Sequence, residues 1–167
     1  MRPALAILAL GAWGAFAPAD APHASADGKY SVRFPAAPKV SEQSVKSALG
    51  ELTVHTATYS DSGGNTFLVS YTDYPADAVM PEKRGKFFDG IRDSVKGDGK
   101  LDSEKEIKAG GGGWPGREFT VDKGRQRVKY RVVLRDNRLY QLAAIGTEGF
   151  VGGREAKDFF ESFELTK

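Results

Sequence analysis

The sequence predicts an α+β domain: a mainly antiparallel sheet of about six to seven strands flanked by two main helices, an α/β/α sandwich. Two blocks of short, strand-like runs are bounded by Gly, Pro, Asn and Asp clusters. Helical spacing of apolar residues replaces the strand pattern between the blocks and again near the C-terminus. The connections between runs are short, which favours antiparallel neighbours.

The first strand is Tyr30-Ser31-Val32-Arg33-Phe34, alternating apolar and polar residues and stopped by Pro35. After a polar segment, residues 52–59 form a threonine-rich second strand. The turn cluster Asp61-Ser62-Gly63-Gly64-Asn65 leads to a third over residues 66–74. These three strands are expected to lie side by side. Pro81 suits a first helical turn, and Phe87, Phe88, Ile91 and Val95 then recur on one helical face until Gly97-Asp98-Gly99.

The second block opens with a weakly patterned strand, residues 101–107, and a four-glycine loop. Residues 117–121 and 125–134 read as a hairpin around Lys123-Gly124. A two-residue turn there sets Asp122 opposite Arg125, Thr120 opposite Arg127 and Glu118 opposite Lys129. The run 138–145 is almost continuously apolar, as in a strand buried on both faces. A glycine-rich stretch then precedes a helix with the stripe Ala156, Phe159, Phe160 and Phe163.

The N-terminus has the three parts of a secretory leader. Arg2 is followed by an uncharged apolar run and a small-residue tail ending Ala24-Ser25-Ala26. The apolar run is about 14 residues, short of the ~20 needed to span a bilayer. Ala15-Phe16-Ala17 and Ala19-Asp20-Ala21 are each followed by proline, so the cut is expected before Asp27. The reading is a signal peptide over 1–26 and one domain over 27–167, exported to the periplasm or the exterior.

The chain has no cysteine, which excludes disulfides, thiolate metal sites, a cysteine nucleophile and a lipid anchor at a lipobox. Stability must therefore come from packing, for which nine phenylalanines and six tyrosines after residue 26 are available. A formal charge of +2 argues against a dedicated nucleic-acid binder.

Phe34-Pro35 closing the first strand, the central helix ending near Val95, the Trp114-bearing glycine loop, the long hairpins and the ending Asp158-Phe159-Phe160-Glu161-Ser162-Phe163 have a familiar combined pattern. Together they resemble the PsbP-like and Mog-like superfamily of α/β/α sandwiches, which holds extrinsic photosystem subunits, nuclear-transport factors and small bacterial envelope proteins. The resemblance implies a binding or assembly factor without a shared catalytic residue set. It carries over no functional residue.

Candidate chemistry is sparse. His55 is the one histidine after residue 26, too few for a histidine-based metal site, and no G-x-S-x-G elbow accompanies it. Neither glycine-rich loop has P-loop or dinucleotide-binding spacing. Asp98, Asp102 and Glu104 lack the order of a calcium loop. No catalytic, cofactor or metal residue is therefore expected.

The most regular charged feature is Arg125, Arg127, Lys129 and Arg131, continued by Arg135, which alternate on one strand face. With Trp114 they make the candidate binding surface, for an unknown protein or an acidic surface partner. Glu118 and Asp122 across the hairpin are available to neutralise part of it. The leading expectation is an exported, non-enzymatic binding or assembly-assisting domain. Two alternatives stand beside it: a small ligand-binding protein or hydrolase with a site near Trp114 and His55, and a binder of anionic surfaces through the basic strand.

Overall fold

Alternating side chains in the C-terminal half of the chain build the centre of a seven-stranded antiparallel sheet, and the other strands add to either side. The structure, a computed structural model, describes residues 22–167. In chain order its strands are β1 (His23–Ser25), β2 (Tyr30–Val32), β3 (Lys39–Ser47), β4 (Gly50–Ser60) and β5 (Thr66–Asp73), followed by helix α1 (Arg84–Lys96). Then come β6 (Lys100–Ala109), β7 (Trp114–Asp122), β8 (Arg127–Arg135), β9 (Arg138–Gly146), α2 (Glu148–Val151), α3 (Arg154–Glu161) and β10 (Glu164–Leu165). The large sheet has the order β3-β4-β5-β9-β8-β7-β6, and β1-β2-β10 form a second, small sheet.

The expected class, α+β with a mainly antiparallel sheet between helices, is the one observed. Its first three strands are arranged differently from the expectation. Tyr30–Val32 does not pair with β4; it is the centre strand of the small sheet. The place beside β4 belongs to Lys39–Ser47, which the sequence presents as a polar connector. Every residue of β3 is exposed, so no buried face imposed alternation on its sequence.

Each face of the large sheet carries its own core. Residues directly opposite across paired strands share a face. Phe67, Val69 and Tyr71 on β5 therefore line up with Ala144, Leu142 and Tyr140 on β9. This face is covered by the small sheet and by α3, whose Ala156, Phe159 and Phe160 are buried. Phe159 stacks on Phe67 with ring centres 4.5 Å apart and meets Phe34 at 5.3 Å. Phe163 lies just beyond α3 and packs against Tyr30 and Tyr140. On the opposite face, Phe88 of α1 joins Val132, Leu134 and Leu139. Pro81 sits in a turn ahead of α1, and Gly97, at φ 49°, ends the helix with its N–H donating to Asp93 O at 2.9 Å.

The β7–β8 hairpin corrects the expected register by two residues. Its loop is Lys123–Gln126, so Asp122 faces Arg127, Thr120 faces Lys129 and Glu118 faces Arg131. Asp122 caps the longer loop by accepting from Gly124 N at 2.7 Å. A two-residue slip preserves which face each side chain occupies, because the strand period is two.

The leader expected over residues 1–26 falls outside the described residues as far as residue 21. Residues 22–26 are described, and His23, Ala24 and Ser25 pair with Val32, Ser31 and Tyr30. Ser25 Oγ accepts from Gly28 N at 3.0 Å, and the His23 ring meets Tyr30 and Phe34. A chain beginning at Asp27 therefore turns β2 into an edge strand. Three lost cross-strand pairs correspond to about 1–2 kcal/mol. Relative to a chain beginning at Asp20, its thermal midpoint should fall by roughly 3–6 °C. Equal midpoints would show that β1 adds nothing.

Burial, followed by the neighbouring Tyr71 and Tyr140, pushes the Tyr30 hydroxyl up to about 12. Burial, followed by Tyr74, does the same to Tyr130. The folded state thus favours the neutral phenols. Their contribution is complete below the ordinary value of 10.0 and is lost as pH rises towards about 12. In an alkaline titration, ionisation of these two tyrosines should coincide with loss of near-ultraviolet dichroism. Ionisation near pH 10.0 with the fold intact would contradict it.

Candidate functional site

The basic strand β8 projects Arg127, Lys129, Arg131 and Arg135 onto the face covered by α2, α3 and the C-terminal tail. Arg125 stands apart, exposed in the hairpin loop. The four strand residues are all engaged within the molecule. Arg131 donates through Nε and Nη2 to Glu118 Oε2 at 2.9 and 2.6 Å, and through Nη1 to Phe160 O at 2.7 Å. Lys129 lies 3.7 Å from Glu118 Oε1 and 5.0 Å from the centre of the Phe160 ring. Arg127 meets Asp102 at 2.5 Å, Glu148 at 3.5 Å and Asp122 at 3.7 Å. Arg135 donates to Thr166 O at 2.6 Å and lies over the Trp114 ring.

Glu118 is the centre of this arrangement. Its side chain is only 8% exposed, yet Lys105, Lys129 and Arg131 all approach it. Burial alone would raise its carboxyl. Arg131, with Lys129 and Lys105, overcomes that effect and holds the group below the usual glutamate range. The neighbouring cleft, of about 410 Å³, is lined by Lys105, Arg127 and Lys129 and by Glu104, Glu118 and Glu148. Equal numbers of the two charges meet there, so the alternating cations do not make a strongly positive surface.

His55 and Trp114 share a sheet face but not a site. β4 and β7 are four strand positions apart in the sheet order, roughly 19 Å at ordinary strand spacing. Trp114 packs at the edge of the core beside the glycine turn, where Gly110 and Gly113 adopt φ of 66° and 62°. His55 stacks on Tyr71 at 4.4 Å, and its Nδ1 lies 3.3 Å from Glu42 Oε2. Among the described residues, no group of three or more His, Asp or Glu side chains is arranged to hold a metal ion. No helix among them is long and apolar enough to cross a membrane.

Sequence reasoning passed over the element that stands out most. β4 pairs with β5 only over residues 55–60, whereas its pairing with β3 runs on to Gly50. Residues 43–54 thus form a two-stranded ribbon that runs on past the last residue pair joining β4 to β5. Val40, Val45 and Leu49 are 65%, 40% and 45% exposed, and together with Met80 they are the exposed large apolar side chains among the described residues. The available sequence signal was Leu49-Gly50 after an evenly polar run.

The opposite edge, β6, carries six charged residues and a register shift between Leu101 and Ser103, two features that discourage strand addition. Among the described residues β3 has no register shift and pairs with β4 alone. Its outer backbone groups are open to a pairing partner.

These layers define an α/β/α sandwich with a PsbP-like fold. The chain is similar to the solution structure of cyanobacterial PsbP (CyanoP) from Synechocystis sp. PCC 6803, with a TM-score of 0.58 at 14% identity, over 93% of this chain and 98% of that one. At this identity the likeness is one of fold. No family model and no curated protein matches the sequence.

The Glu118 cluster yields a stability prediction. Glu118→Gln leaves three cations facing a neutral amide and should cost on the order of 2 kcal/mol, less than the ~3–5 of a fully buried pair because Lys105 remains in water. The loss should be read by denaturant midpoint at pH 7. It should shrink as pH falls through the lowered carboxyl range, where wild-type Glu118 is itself neutralised. A pH-independent difference would assign the effect to packing.

Proposed function

We propose that the chain is an exported, non-enzymatic binding or assembly-assisting domain that engages another protein through the β3–β4 ribbon. The observation that carries this reading is the projecting hairpin with its exposed Val45 and Leu49, on an open outer strand that also exposes Val40. An exposed strand edge supplies backbone donors and acceptors for strand addition, and flanking side chains confer selectivity. The PsbP-like fold agrees with a binding role at the level of class only. Export rests on the leader composition of residues 1–26. The basic strand supports this reading less well, because its cations are paired with Glu118, Asp102 and Glu148.

A pull-down from an envelope extract tests the proposal. Wild-type protein should retain a partner that an unrelated control does not. The triple variant V40K, V45K and L49K, with unchanged circular dichroism, should retain at least about tenfold less, the effect of losing ~1.4 kcal/mol or more. Equal retention by the variant would remove the ribbon from the account. No retention by wild type at any salt concentration would remove the binding reading as well.

A further inference from the structure

We infer that the outer edge of β3 pairs with β3 of a second copy of this chain, antiparallel and in a single register centred on Ser44. The inference rests on the ribbon reading above and names the occupant of its edge.

The backbone decides which residues can take part. Ala48-Leu49 is a two-residue loop, so the flanking pair Ser47–Gly50 exchanges both backbone hydrogen bonds. Alternation along an antiparallel ladder then turns the N–H and C=O groups of Ser41, Gln43, Val45 and Ser47 towards β4. Those of Val40, Glu42, Ser44 and Lys46 point outward. A symmetric partner must match these outward groups with its own.

Charge selects the register. Centring the two-fold axis on Glu42 sets Glu42 against Glu42, and centring it on Lys46 sets Lys46 against Lys46. Centring it on Gln43 or Val45 places both charged residues opposite neutral ones. With the axis on Ser44, Glu42 of each copy stands directly opposite Lys46 of the other, twice over. Gln43 then meets Val45 on the reverse face, and Ser41 meets Ser47. This arrangement pairs opposite charges and supplies about six backbone hydrogen bonds between the copies.

An edge contact of this length falls below about 1,200 Å² of buried surface, the low end of specific interfaces. The dimer is accordingly one that forms and dissociates with concentration.

Sedimentation equilibrium on the full exported chain, over a wide concentration series at low salt, tests the pairing. Wild type should pass from monomer to dimer. E42K alone and K46E alone should each weaken association by at least about tenfold, because like charges then meet twice. An equimolar mixture of E42K and K46E should associate about as well as wild type. One variant carries lysine at both positions and the other glutamate at both, so each contact between them again joins opposite charges. Circular dichroism and thermal midpoints confirm that each variant is folded.

Failure of the mixture to recover association would overturn the register, and a wild type that stays monomeric throughout would overturn the dimer. If that monomer still retains another protein through Val40, Val45 and Leu49, the ribbon reading survives and the occupant is a different chain.

Discussion

Seven strands at ordinary spacing make a sheet about 29 Å wide with two faces to bury, and the chain has little material with which to cover them. Among the described residues that material consists of a thirteen-residue helix, an eight-residue helix, two short helical turns and a small three-stranded sheet. Helix α1 lies against β7 on one face, while α3 and β2 shield Phe67, Val69, Tyr140 and Leu142 on the other. These elements suffice for the middle strands and stop short of β3. The exposed ribbon is therefore what remains once the apolar material has been placed over the centre.

The same shortage explains the cations of β8. A strand that alternates arginine and lysine with valine, tyrosine and leucine reads as one buried and one solvated face. Here the charged face is covered too, and the charges themselves fasten the cover. Arg131 reaches a backbone carbonyl of α3, Arg135 reaches the C-terminal tail, and Glu118 gathers Arg131, Lys129 and Lys105 beneath them. The PsbP-like sandwich is thus closed on one side by aromatic stacking on Phe159 and by charge-assisted hydrogen bonds beside it. Arg117 plays a similar part on the other face, joining Asp89 of α1 to Glu104 of β6.

Elements with a buried face were legible in the sequence because burial writes a period into it, or in β9 an unbroken apolar run. β5, β7, β8, β9, α1 and the stripe of α3 all lie where the apolar spacing placed them. The elements that escaped notice had no such constraint. β3 is exposed throughout, and β1 and β10 are too short to display a period. The hairpin register slipped because a four-residue loop and a two-residue loop give identical face assignments. For the same reason the surface was harder to read than the core. Whether Arg131 faces solvent or the carbonyl of Phe160 depends on α3, a contact across 29 residues that strand alternation does not encode.

The alternating exposure of β3 is the claim on which the edge pairing stands or falls. Amide hydrogen exchange by NMR, resolved by residue and repeated at increasing protein concentration, addresses it. The amides of Ser41, Gln43, Val45 and Ser47 should be protected at every concentration by their bonds to β4. Those of Val40, Glu42, Ser44 and Lys46 should exchange freely when dilute and become protected together as concentration rises. Exchange at these four amides that stays fast and independent of concentration would contradict the edge pairing.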